Sequence, residues 1–562
     1  MNYMLQNIEQ DIKNILINSY HNQINNDNLK KLVIELPPIK LENDFDISTN
    51  IALILTKKLK QKPMEIANNI VKKLSKIDYI ENIDISKPAF INIKLKDNFL
   101  FKIIENINNF GDKNLTKNIG NGEKINVEFC SANPTGPLHI GHARGTIFGD
   151  VISNLLEKSG YNVCREYYIN DAGEQMKKLE NSIKWRMNND NIKDLPEDYY
   201  PGEYLQEIAE KRNNVLKKNP NKTWSNTETA MEMIEYFIKP TLKKLKINYN
   251  CWTSEQNLKD NNAIKKSIDH LSKLDLIYKG VLQQPKGKII EDYEPREQLL
   301  FKSSKFGDDV DRPLMKNDGS YTYFSSDIAY HYDKWKRGFN NMVVVLGADH
   351  KGYVKRLTSA VKAISNENGD LHIKLCELVN FMKNGKMVKM SKRKNNFLTI
   401  DDVLEKIDSD ILRFIILTRK ADTVLNFDLE KAKEQSKDNP IWYIHYAYAR
   451  CNSVLNKSKD LKTKLQKNIN ENTNLSCDFH KLIVKMMFYT RFLELSVQNY
   501  EPYFFVNYLT QLATEFHKLW EKEKFIDEDE NKTFLKLSVI SGVKRLIKEG
   551  LKNLGINAIE QM

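Results

Sequence analysis

Apolar positions fall into three regimes along the chain. Near the start, Ile66, Ala67, Ile70, Val71 and Leu74 recur at helical spacing behind Pro63, a residue suited to a first helical turn. Ile91, Ile93 and Leu95 then alternate with Asn92 and Lys94, which predicts a half-buried strand. This mixture predicts a small α+β domain over residues 1–118, with a glycine-bearing linker at 110–123. From 119 to 420, short apolar runs alternate with helical stretches. The runs 125–129, 163–169, 342–346 and 373–379 predict strands of a parallel nucleotide-binding sheet. A lysine- and asparagine-rich stretch at about 190–312 interrupts the alternation. Residues 421–562 are glycine-poor and helical in pattern, so an all-α domain is expected there. In it, Tyr443, Tyr446 and Arg450 recur at i, i+3 and i+7 on one face.

The densest chemistry lies in Val127 to Gly145. A short apolar strand passes through a loop held by Pro134, Gly136 and Pro137 into a helical pattern near Gly141. Ile147, Val151, Leu155 and Leu156 continue the helical stripe, and Gly160 ends it. A strand–loop–helix aims backbone N–H groups and the positive end of a helix dipole at the loop mouth, a geometry suited to phosphate. His139 and His142 add donors that can follow charge onto phosphate oxygens, and Gly141 leaves room for a nucleotide base. A bare His-x-x-His is more often a helix start with two incidental histidines. Here Lys389-Met390-Ser391-Lys392-Arg393 accompanies it far downstream.

Composition changes the picture in a few respects. Hydrophobic residues at 41% and charged residues at 28% describe a globular rather than a disordered chain, and 562 residues predict several domains. A net charge of +12 favours a polyanionic partner, although heavy use of Lys, Asn and Ile also fits an AT-rich genome. Six scattered cysteines without a Cys-x-x-Cys pair indicate neither a disulfide framework nor a zinc site. The polar N-terminus carries no signal-peptide core, and no apolar run approaches the roughly 20 residues of a membrane span. A cytoplasmic location is expected.

The two motifs, His139-Ile140-Gly141-His142 and Lys389-Met390-Ser391-Lys392-Arg393, resemble the paired signature of class I aminoacyl-tRNA synthetases. With Arg165-Glu166-Tyr167-Tyr168-Ile169-Asn170-Asp171-Ala172-Gly173, the context resembles the arginyl-tRNA synthetases in particular. Arg393 departs from the serine usual at that place, but both lysines remain. The resemblance runs nearly end to end. It implies a multidomain α/β protein: a class I Rossmann-like catalytic domain with a connective insertion, an N-terminal α+β domain that contacts tRNA, and a helical anticodon-binding domain. It also implies ATP with Mg²⁺, arginine and tRNA-Arg as reactants, no zinc, and a monomer. A class I synthetase for another amino acid and a non-catalytic tRNA-binding relative remain as alternatives.

The resemblance assigns His139, Gly141, His142, Gly347, Asp349, Lys389 and Lys392 to ATP, with the histidines and lysines catalytic. The arginine substrate would meet Glu128, Ser131, Asn133, Tyr323 and Asp327. Glu128 and Asp327 are expected to grip the planar guanidinium. Without the family, Glu128 is an odd charge at a strand end, and Asp327 reads as the N-cap of a helix beginning at Ile328. Tyr443, Tyr446 and Arg450 would contact the anticodon by stacking and phosphate pairing. Asp349 stands where several relatives carry glutamine, His445 also replaces a glutamine, and Asn170 and Asp171 have no assigned role. The resemblance further implies that tRNA must be present before the amino acid is activated.

Overall fold

A computed structural model describes residues 4–21, 23–109, 115–189, 194–282, 296–383, 386–387, 398–436, 439–458 and 475–562. They form two compact units. One joins Met1–Lys117 to Gln435–Ser496 and Phe504–Met562; the other joins Asn118–Glu434 to Val497–Tyr503. The expected first and last domains, 1–118 and 421–562, thus contribute most of their residues to one unit, while 118, 421–434 and 497–503 belong to the other.

The second unit is built on a parallel sheet of strands β1 (Lys124–Glu128), β2 (Asn162–Ile169), β3 (Cys251–Ser254), β4 (Asn341–Gly347) and β5 (Asp370–Cys376). Their spatial order is β5-β4-β1-β2-β3. The chain builds outward from β1 to one edge, then returns to β1's other side. This reversal between β1 and β4 opens a crevice at the strands' carboxyl ends, where open α/β sheets bind ligands. Ile125 and Val127 are fully buried, as a central strand covered on both faces requires.

Two strand expectations shift. β3 lies inside the stretch read as insertion, because its four residues Cys-Trp-Thr-Ser carry no apolar run. The strand expected at 373–379 begins at Asp370, while Val379–Lys383 runs separately beside Leu425–Asp428. Farther along the chain after β3, Ile277–Val281, Glu297–Phe301 and Arg312–Pro313 form a small antiparallel sheet.

Helix α1 (Ile140–Lys158) follows β1, and α2 (Tyr323–Lys336) precedes β4. Gly149 lets α1 lie directly on β1's end: a Cβ there would meet Phe129 at 2.2 Å. Thr322 caps α2 through the Ser325 N–H. Asp327 is therefore a second-turn residue and not the cap that its sequence suggests.

In the other unit, Phe90–Leu95 is the central strand between Ile47–Thr49 and Ile80–Ser86. Asn92, expected to face solvent, is buried and donates to Ser86 Oγ at 2.7 Å. Helix Asp97–Asn109 packs on the C-terminal helix Glu530–Asn553. Arg545 donates to the Ile107 carbonyl at 2.7 Å, and Asn108 donates to that of Ser538 at 2.8 Å. The last residues dock back: Leu554 and Ile556 are buried, and Asn452 donates to the Glu560 carbonyl at 3.0 Å. Among the described residues, no helix is long and apolar enough to cross a membrane.

His480 joins the two ends of this unit, bonding Asp46 at 2.8 Å through Nε2 and Asp97 at 2.9 Å through Nδ1. Burial opposes its charge, but the two carboxylates win and raise it from 6.5 to about 9. A folded pKa raised this way contributes stability that is complete below about 6.5 and disappears as pH rises through about 9. The shift corresponds to about 3 kcal/mol. Thermal scans between pH 6 and 10 should show that loss in the native protein. In His480→Gln the slope over this window should flatten; an unchanged slope would remove His480 as its source.

Candidate active site

The loop between β1 and α1 owes its shape to side chains from three directions. Cys130 and Ser131 occupy consecutive left-handed backbone positions, φ +66° and +40°, which cost non-glycine residues energy unless their surroundings fix them. Here they are fixed. The Ser131 carbonyl accepts from Asn170 at 3.2 Å, and its Oγ accepts from the Tyr168 N–H at 3.1 Å. Tyr167, Tyr204 and Tyr249 donate their hydroxyls to the carbonyls of Ala132, Thr135 and Phe129 at 2.8, 2.6 and 3.1 Å. A Cβ at Gly136 would lie 2.5 Å from Tyr204 Oη, so glycine is required for that approach. Asn170 thereby gains a role, and so does Asp171. Fully buried, Asp171 accepts from Ser254, Thr227 and the Gln256 N–H, pinning the turn after β3.

His139 stands at the N-cap of α1 and His142 at its third position, with the rings stacked 3.6 Å apart. His142 Nδ1 accepts the His139 N–H at 3.2 Å, so its proton sits on Nε2. The first turn of α1 also pairs with a distant segment: Ile140 donates to the Leu398 carbonyl at 3.0 Å, and Ile400 donates to that of Leu138 at 2.9 Å. Lys389 and Lys392 lie outside the described residues.

A cavity of about 950 Å³ opens where β1 and β4 end. Glu128, Ser131, Asn133, His139, Gly141, His142, Tyr323, Asp327, Gly347 and Asp349 all line it. The sequence-predicted arginine and ATP residues that are described thus share one hollow. Tyr323 and Asp349 are highly exposed at its rim.

Helix α2 presents a single face to this hollow, with Tyr323, Asp327, Tyr330 and His331 at helical spacing, and the buried Lys334 continues that face behind the lining. Asp327 accepts the Tyr353 hydroxyl at 2.6 Å and makes no ion pair among the described residues. Burial pushes its carboxyl up to about 7, reinforced by the nearby charges of Glu128 and Glu255 and opposed by the Tyr353 hydrogen bond. One turn on, His331 donates from Nδ1 to the Asp327 carbonyl at 2.8 Å. Burial holds His331 neutral, lowered to about 3, and leaves Nε2 as an acceptor without a partner among the described residues.

Glu128 is differently placed from Asp327. Lys334, fully buried, donates to its Oε2 at 2.5 Å, and Ser131 donates to its Oε1 at 3.2 Å. Lys334 and His331 escaped the sequence reading, although both follow from Asp327 at i+7 and i+4 once α2 is drawn from Tyr323. Behind them, Glu166 of β2 takes both Nη2 bonds of Arg337, at 2.8 and 2.9 Å.

In the other unit, Tyr443, Tyr446 and Arg450 lie half-buried on helix Pro440–Lys457. Arg450 bonds His517 at 2.9 Å and lies 5.1 Å from the Trp520 ring, while Tyr443 packs 4.4 Å from His517. His445 is buried beside this stripe and forms no part of its surface.

A parallel sheet reversing at β1, a histidine-bearing helix start at that reversal and a helical C-terminal segment together define a class I aminoacyl-tRNA synthetase. Residues 105–452 match the family model for the tRNA synthetases class I (R) catalytic domain. Residues 5–95 match the arginyl tRNA synthetase N terminal domain, and 444–562 match the DALR anticodon binding domain. The chain is 43% identical to an arginine–tRNA ligase of Ehrlichia chaffeensis over 550 residues, 95% of each chain. It is 40% identical to that of Rhodopseudomonas palustris over 563 residues, 95% of this chain and 94% of the relative. The Thermus thermophilus arginyl-tRNA synthetase structure shares the fold with a TM-score of 0.74 at 17% identity, over 99% of this chain and 100% of that one. The chain belongs to the arginyl-tRNA synthetase family.

Proposed function

We propose that the cavity at the ends of β1 and β4 holds arginine and ATP together, with the guanidinium end on Asp327 and the triphosphate at the start of α1. The observation that carries this reading is Asp327, a carboxylate that pairs with no cation among the described residues, in the same hollow as the stacked histidines. The reaction joins arginine to ATP as arginyl-adenylate with loss of pyrophosphate, then moves the arginyl group to the 3′ adenosine of tRNA-Arg. The substrate carboxylate is its own nucleophile, so the protein acts by positioning and by stabilising charge.

A guanidinium presents five N–H donors in a plane. Asp327 supplies the opposite charge, Glu255 deepens the negative field, and the neutral Nε2 of His331 supplies an acceptor that cannot repel a cation. Glu128, expected as the second half of the grip, already holds Lys334. Its bond to Ser131 supports a role beside Asn133, at the amino-acid backbone end of the substrate. The His142 Nε2–H and the positive end of the α1 dipole face the phosphates. Lys392 lies six residues before Leu398, which bonds Ile140. Its ammonium, with that of Lys389, would meet the negative charge growing on departing pyrophosphate. Mg²⁺ would be carried on the triphosphate oxygens rather than in a protein cage. The half-buried stripe of Tyr443, Tyr446 and Arg450 fits anticodon contact. A zinc-free monomer acting in the cytoplasm completes the reading.

Charging total tRNA with each radiolabelled amino acid in turn tests the proposal: arginine alone should be incorporated, and incorporation of another amino acid or none would overturn it. ATP–pyrophosphate exchange with arginine should be negligible until tRNA is added. Robust exchange without tRNA would show that the site is assembled by the protein alone.

A further inference from the structure

On the edge of the sheet, away from the cavity lining, two thiols meet. Glu166 of β2 pairs in register with Cys251 of β3, and Cys164, two residues before Glu166, shares its face of the strand. The two sulfurs and the Glu166 carboxylate lie within 4.8 Å of one another. Both cysteines are partly exposed. Such a trio has the donor set of a metal site, but its carboxylate is already engaged. Glu166 Oε1 accepts from Thr253, Tyr330 and Arg337 at 2.6, 3.1 and 2.8 Å; Oε2 accepts from Asn126 and Arg337 at 2.5 and 2.9 Å. A cation would have to displace Arg337 and then face its charge. The sulfurs are under no such constraint. Arg337 Nη1 points at Cys251 Sγ from 3.5 Å, and Thr253 Oγ1 lies at the same distance.

We propose that Cys164 and Cys251 are a reactive dithiol that closes to an intramolecular disulfide when the enzyme meets a hydroperoxide. Cys251 is the attacking sulfur. The Cys164 S–H bonded to it, with help from Thr253 and Arg337, holds its thiol below the ordinary range against the opposing effect of burial. The Cys251 thiolate attacks a peroxide oxygen, the O–O bond breaks, and a sulfenic acid and hydroxide form. Cys164 then attacks that sulfur. Its proton and the sulfenic hydroxyl leave as water, and the S–S bond closes. Two thiols are oxidised by two electrons, and one peroxide is reduced. Because Cys164 stands diagonally from Cys251, side-chain rotation with a small shift of edge strand β3 must bring the sulfurs from within 4.8 Å to about 2.05 Å.

The test uses the full-length native enzyme, treated with a small excess of hydrogen peroxide and digested without reductant. Mass spectrometry should find the Cys164 and Cys251 peptides linked, lighter by two hydrogens, before exposed Cys477 has reacted appreciably, and dithiothreitol should separate them. In Cys164→Ser, dimedone should trap a sulfenic acid at Cys251; in Cys251→Ser, Cys164 should stay unmodified. Arg337→Gln should slow closure several-fold, with folding checked by circular dichroism. Oxidation of Cys477 first, a linked pair other than this one, or Cys164 trapped in place of Cys251 would overturn the assignment.

Discussion

Asp327→Asn should raise the arginine KM by roughly 10²–10³-fold and leave the ATP KM within a factor of two or three. The asparagine keeps the shape of the side chain and can still accept the Tyr353 hydroxyl, so the change isolates one negative charge. Removing one partner of a desolvated, hydrogen-bonded charge pair typically costs about 2–5 kcal/mol. Initial-rate kinetics with each substrate varied in turn would measure it, and an unaltered arginine KM would take Asp327 out of the pocket. The pH profile gives a second reading of the same group. In the free enzyme Asp327 titrates at about 7. The ionised form that pairs with a guanidinium is complete above that value and is lost below it. The native arginine KM should therefore climb up to tenfold for each unit of pH below 7, and the variant should show no such slope. Arginine favours the ionised form, so its binding near pH 7 should release a proton. Calorimetry in buffers of different ionisation enthalpy would detect that release.

How far the sequence foretold this site depends on which physical signal each residue carried. The β1–α1 turn was legible because strand, proline, glycine and helix signals occur in unbroken order from Val127 to Gly160. Asp327 was located through resemblance, but its setting was not. Read alone, it passes for a helix cap, because Thr322, the actual cap, precedes an aromatic pair that carries no helical stripe of its own. Starting the helix at Tyr323 places His331 and Lys334 on Asp327's face, a consequence of period 3.6 alone. No local signal marks the Lys334–Glu128 bond, which joins residues 206 positions apart. β3 was hidden for a different reason: as a short edge strand it needs no continuous apolar run. The joining of the chain's two ends in one unit was equally silent, since His480, Asp46 and Asp97 are each unremarkable in their own segments.

Lys334→Met should destabilise the unit that contains the sheet by about 3–5 kcal/mol, as much as a large core truncation. The methionine fits the lysine's stem, so packing is nearly conserved and the loss comes from charge. Lys334 is fully buried with its ammonium on Glu128 and lies 4.2 Å from the Tyr330 ring. Without it, Glu128 remains a buried carboxylate with Ser131 as its donor. The double variant Lys334→Met, Glu128→Gln removes both charges and should recover most of the lost stability, because replacing a buried pair together is often close to neutral. Chemical denaturation of the three variants completes the cycle. Equal losses in the single and double variants would mean that the lysine stem, and not its charge, holds α2 against β1. Activity separates the roles further. If Glu128 must stay ionised to orient the amino-acid end of arginine, the double variant will be stable yet slow. The buried lysine would then act as the device that keeps a carboxylate charged where the fold excludes water.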